Sequence, residues 1–106
     1  MTGRNTKFEE FVRDRENQRA LEQESLTLEA TELISRLMDE TAVSKAELAQ
    51  RIGKSRAFVT QLLSGSRNMT MHTLADLAFA LGYKVDMKAV RLCEERGEAY
   101  ELAQAL

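Results

Sequence analysis

Residues 44–65 read SKAELAQRIGKSRAFVTQLLSG, and this stretch decides the fold. Ser44 is a helix-capping residue, and Glu47 three positions on completes a capping box. Leu48 and Ile52 are four apart and so share one helix face. Ala49 is small where a second helix must cross closely. Gly53 supplies the bend, because glycine enters positive φ without steric cost. Ser55 caps a second helix, and Val59 and Leu62 recur at helical spacing on its buried side. Ser64-Gly65 ends it, with Gly65 as a left-handed cap. Two short helices with a tight bend between them are the layout of a helix-turn-helix, which lays its second helix in the DNA major groove.

The flanking periodicity supplies the rest of a small core. Residues 28–40 predict a helix capped by Thr27, with Ala30, Leu33, Ile34, Leu37 and Met38 on one stripe. The motif helices are expected at 45–52 and 56–63. A fourth helix is expected at 71–81, capped by Thr70, with Leu74, Leu77, Ala78 and Leu81 on its buried side and Gly82 as its stop. The chain contains no proline to break these helices. The stripes read as core rather than as cofactor sites, and no cofactor is implied.

After Gly82 the period changes to two. Tyr83, Val85, Met87 and Ala89 alternate with Lys84, Asp86 and Lys88, the pattern of a strand over about 83–91. A lone strand cannot satisfy its own backbone hydrogen bonds. No second convincing strand exists in the chain. The economical partner is the same strand of a second copy across a two-fold axis, with Tyr83, Val85, Met87 and Ala89 at the dimer interface. An unpartnered extended tail is the plainer alternative. Residues 93–106 read as a loose tail, weakly helical after Gly97.

Residues 1–25 form a polar extension, helical in part. Phe8, Phe11 and Val12 mark a short helix near 6–13. They either give a solvated stretch one apolar patch or dock on a partner or on the domain. The expected organisation is thus an extension over 1–25, a DNA-binding domain over 26–82, and a strand and tail over 83–106 that serve dimerisation. The fold class is all-α, a compact four-helix domain with that terminal strand.

Composition narrows the function. At 106 residues the chain suits one domain with arms, and 43% hydrophobic content allows a small core. No apolar run approaches the roughly 18 residues of a membrane span. The first residues turn charged at once and do not read as a secretion leader. One cysteine, Cys93, allows no intrachain disulfide and fits a reducing cytoplasm. With His72 alone for company it makes no zinc site. No catalytic constellation or glycine-rich phosphate loop stands out, so an enzyme is not expected.

A net charge of −2 argues against a nucleic-acid binder, but its distribution reverses that argument. Residues 41–72 hold five basic side chains (Lys45, Arg51, Lys54, Arg56, Arg67) and one acidic (Glu47), a balance of +4. Residues 1–40 stand at −4 and residues 73–106 at −2. The positive charge lies on the two-helix motif, where phosphate neutralisation needs it.

The motif resembles the lambda-repressor-like (Cro/repressor, Xre) helix-turn-helix family. Its family positions appear as Glu47-Leu48-Ala49, Gly53, Ser55, Val59 and Gly65, and RNMTMHTLADLAFALG after it looks like the family's next loop and helix. The resemblance covers about residues 28–82. Lys54 stands where the family usually has an apolar residue, Lys45 where glutamine is frequent, and Met69 where proline is common. The resemblance implies DNA binding, and at Ser55 a phosphate or base-edge contact beside its capping role.

On the second motif helix Val59 and Leu62 point inward, so Arg56, Ala57, Thr60 and Gln61 point out. Arg56 can pair bidentately with guanine, Gln61 with adenine, and Ala57 and Thr60 can touch a thymine methyl. Lys45, Lys54, Ser55, Arg67 and Asn68 lie where phosphate-positioning contacts arise. Arg51 faces away and reads as merely exposed. Phe58 reads as core edge, His72 as polar surface, and Met69, Met71 and Met87 as gap fillers.

The leading expectation is a dimeric, sequence-specific DNA-binding repressor of transcription acting on double-stranded DNA in the cytoplasm, with no membrane partner. The alternative is the antitoxin of a type II toxin–antitoxin pair, in which the acidic extension or the tail covers a basic toxin while the protein represses its own operon. A protein-interaction adaptor that has kept the fold without reading DNA is a third possibility, and Arg56 argues against it.

Overall fold

A computed structural model of the chain describes residues 2–92. Four helices follow one another: α1 Thr2–Thr41, α2 Lys45–Ile52, α3 Arg56–Ser64 and α4 Met71–Ala80. The described residues contain no strand.

The largest departure from the sequence expectation is α1. A short helix near 6–13 and a separate one from 28 are instead one helix of 40 residues. Between Arg4 and Thr41 there is no glycine or proline to stop it. Thr27 does not cap a new helix. Its hydroxyl donates to the Gln23 carbonyl oxygen at 3.0 Å, the bond a threonine makes inside a continuing helix. At about 1.5 Å per residue such a helix is ~60 Å long, which matches the 60 Å longest dimension of the molecule. Only its last third enters the core. Residues 7–29 are exposed save for the half-buried Gln18.

The helix ends share one device. In α1, Ala42 enters the left-handed region at φ 58. Its N–H donates to the Asp39 carbonyl at 3.3 Å, and the Val43 N–H donates to the Met38 carbonyl at 3.1 Å. That is the Schellman pattern, and buried Val43 and Met38 bring its hydrophobic contact. The same pair of bonds closes α2 at Gly53 and Lys54, α3 at Gly65 and Ser66, and α4 at Gly82 and Tyr83. The helix starts follow the sequence reading. Ser44 accepts from the Glu47 N–H, Ser55 from the Phe58 N–H and Thr70 from the Thr73 N–H. The reciprocal half of the capping box differs. The Glu47 carboxylate turns along the helix to Arg51 at 2.7 Å rather than back to Ser44.

The core draws on every helix. Ile34 of α1, Leu48 of α2, Val59 and Leu62 of α3, and Leu77 of α4 are fully buried. Leu33, Leu37, Met38, Leu74 and Leu81 complete the expected stripes at or beside that centre, and Ala30 is half-buried at the stripe's upper edge. α3 packs between α1 and α2, and α4 closes the other side of both. Buried Thr31 keeps its hydroxyl satisfied on the Leu28 carbonyl at 2.9 Å.

Beyond Gly82, residues 83–91 are not helical and form no ladder among the described residues. Val85 packs against the core. The Tyr83 hydroxyl donates to the Glu40 carboxylate at 3.4 Å. The expected loose tail over 93–106, including Cys93 and Tyr100, lies outside the described residues. None of the described helices is long and apolar enough to cross a membrane.

Candidate nucleic-acid interface

α3 is a helix of nine residues clamped at both ends. Ser55 closes its first turn and Gly65 its last. Burying Val59 and Leu62 against α1 and α2 leaves the opposite face to solvent. That face carries Arg56, Ala57, Thr60 and Gln61, all exposed. The four base-reading candidates therefore share one surface. Arg56 is the first helical residue, where the recognition helix of such motifs meets base edges.

The positioning candidates frame this surface. Lys54 and Ser55 precede α3, Arg67 and Asn68 follow it, and Lys45 opens α2, all exposed. The free amides at the start of α2 add partial positive charge beside Lys45. Among the described residues, Lys45, Lys54, Arg56 and Arg67 have no carboxylate within ion-pair distance, while Arg51 pairs with Glu47. Four of the five cations of residues 41–72 are thus available to phosphates.

Phe58 proves more than core edge. Half-buried against the core, its ring carries two cations. The Lys54 ammonium lies 5.4 Å and the Arg67 guanidinium 4.9 Å from its centroid, within the range of cation–π attraction. The Lys54 head thus has a specific neighbour, an aromatic ring, rather than water alone. Arg67 also donates from Nε to the Gln61 amide oxygen at 3.0 Å. Met69 is half-buried beside the core.

Arg51 was expected to be merely exposed. It bridges two helices instead, donating to the Ala80 carbonyl at the end of α4 at 2.8 Å and to Glu47 at 2.7 Å. The i,i+4 spacing of Glu47 and Arg51 signals the pair. The Ala80 contact depends on how α2 and α4 pack and has no sequence signal. His72 is exposed, as are Met71 and Met87, so these two methionines fill no gap.

The dimer candidates separate. Val85 turns toward its own core, while Tyr83, Met87 and Ala89 remain exposed.

A family model of the Cro/C1-type HTH DNA-binding domain matches residues 34–86. It takes in the last turns of α1, all of α2 to α4, and the start of the segment after Gly82. No curated protein and no solved structure matches the chain.

Proposed function

The chain belongs to the Cro/C1-type helix-turn-helix DNA-binding family, and from that premise we propose that it is a sequence-specific transcriptional regulator working as a dimeric repressor. The observation that carries the reading is the exposed face of α3. Arg56, Ala57, Thr60 and Gln61 offer base-reading groups there, framed by Lys45, Lys54 and Arg67. Arg56 reads guanine, and the others tune neighbouring bases. The flanking cations set register on the phosphates.

Dimerisation follows from affinity. One module neutralising about four phosphates has a salt slope near −4 and binds weakly at cellular salt. Two modules double those contacts and read two half-sites. The segment after Gly82 is the element proposed to join them, because its backbone has no ladder partner among the described residues. The protein would act where the cell's DNA is held.

Selection of bound duplexes from a random pool by the full-length chain tests the reading. The expected product is an inverted repeat with half-sites about one or more helical turns apart. A pool that stays random after selection would show that this chain does not read sequence.

A second reading, the antitoxin, draws on α1. Residues 7–25 of this helix are almost all exposed and hold six acidic side chains against four basic ones, and Phe8 and Phe11 are exposed on this arm. An acidic arm with apolar anchors suits a basic protein partner. Relief of growth arrest when the chain is co-expressed with an adjacent small reading frame would favour this role.

A further inference from the structure

We propose that Arg67 is a positioning residue for Gln61, fixing which end of the Gln61 amide meets the base, with the Phe58 ring holding Arg67 in place. The inference rests on the DNA-reading role proposed above.

A glutamine amide turns softly about its last torsion. Its two ends are nearly equal in shape and opposite in chemistry, one an acceptor and one a donor of two bonds. A free Gln61 therefore offers either end to a base edge and discriminates poorly. Adenine, for example, asks for a donor at N7 and an acceptor at N6, and a reversed amide mismatches both.

Arg67 removes that freedom. Its Nε lies 3.0 Å from the Gln61 Oε1. Arginine donates and never accepts, so only the oxygen end can face it. Turning the amide over would break this bond and set NH2 against the guanidinium. The Gln61 backbone is held from the same loop: its carbonyl accepts from the Ser66 N–H at 3.1 Å and from the Ser64 hydroxyl at 3.2 Å. Arg67 in turn lies 4.9 Å from the Phe58 centroid. That ring is packed on the core, and its own backbone N–H is fixed by Ser55 at 3.0 Å. A chain of contacts thus runs from the core through Phe58 and Arg67 to the reading group. The two terminal nitrogens of Arg67 stay available to a phosphate, which would tie the backbone contact to the base contact.

The test compares base preference with bulk affinity on the full-length chain. The site selected by the parent protein is varied one base pair at a time, and the position whose preference vanishes in Gln61→Ala is the one Gln61 reads. Arg67→Ala should lose discrimination at that same position, on the order of tenfold, the worth of one amide–base pair. The Gln61→Ala, Arg67→Ala double variant should lose no more discrimination there than either single variant. Phe58→Leu, which keeps an apolar side chain at the core edge, should lose part of it. If Arg67→Ala weakened every duplex alike and kept the preference, Arg67 would be a phosphate contact only and the inference would fall. It would fall equally if Gln61→Ala changed no position of a selected site, while the sequence-reading role stood. A pool from which no site emerges would overturn that role and this inference together.

Discussion

The Arg51 guanidinium of α2 donates to the carbonyl oxygen of Ala80, 29 residues away at the last turn of α4. The carbonyls at a helix end lack partners in their own helix, and a cation there also meets the negative end of the helix dipole. One side chain therefore fastens the first motif helix to the helix that closes the core. The bond is partly exposed, so Arg51→Ala should cost about 1 kcal/mol. Glu47→Ala should cost less, about 0.3–0.5 kcal/mol, because an exposed i,i+4 pair contributes little. Urea midpoints at unchanged slope measure both, and the base preference of a selected site should stay constant. Equal losses from the two variants would mean that the Ala80 contact adds nothing to the ion pair.

Four helices end in the same hydrogen-bond pattern, but only α1 does so without glycine. Ala42 sits at φ 58, where an L-residue pays for its Cβ. Ala42→Gly should relieve that strain and raise stability by about 0.5–1 kcal/mol after the added freedom of the unfolded chain is subtracted. The reverse change at the motif bend, Gly53→Ala, should lower stability by about 1 kcal/mol. A Cβ at Gly53 would meet nothing within 4 Å, so its φ of 71 is the whole cost. Thermal or urea unfolding of the pair gives opposite signs; two losses would place the strain at Ala42 elsewhere.

The signals that were legible in the sequence are local ones. Ser44, Ser55 and Thr70 cap helices because a hydroxyl at a helix start reaches an amide three residues on, and nothing distant competes. Val59, Leu62 and Leu77 are buried because their spacing leaves them no other side. The signals that failed had a competitor. Thr27 is as good a cap as Thr70, yet the chain before it is already helical, so its hydroxyl turns back to Gln23. Glu47 had two uses, and Arg51 took it from the capping box. Val85, at an interface position of the proposed strand, is also partly buried against its own core, a contact that alternation alone does not announce. The Phe58 ring with its two cations joins residues 54, 58 and 67 across two loops, which periodicity does not reach.

Arg56 and Lys45 should separate base reading from positioning. Arg56 stands one residue past the cap Ser55, in the turn of α3 proposed to enter the groove, and its fork of donors matches guanine O6 and N7. Arg56→Ala should cost about 1–3 kcal/mol on the selected site and relax preference at one base. Lys45→Ala should weaken all duplexes alike and lower the salt slope by about one. Titrations at several salt concentrations on selected and random DNA measure both. Equal loss on the two DNAs for Arg56→Ala would reduce that residue to a phosphate contact.

The dimer test must spare the monomer's own structure. Cutting after Gly82 would remove the Tyr83 N–H that caps α4 on Ala78 at 2.8 Å, and with it Val85, which packs on the core. Loss of binding by that truncation would then confuse unfolding with dissociation. Ending the chain after Asp86 keeps both contacts and removes Met87 and Ala89, the exposed outer half of the proposed strand. If that strand joins two copies, the truncated chain should sediment as a monomer at tens of micromolar while the parent sediments as a dimer. Its helical signal and urea midpoint per chain should change little. Its salt slope on the selected site should fall to roughly half, because one module neutralises half the phosphates. A parent chain that is monomeric at the same concentration rules out this route to two half-sites.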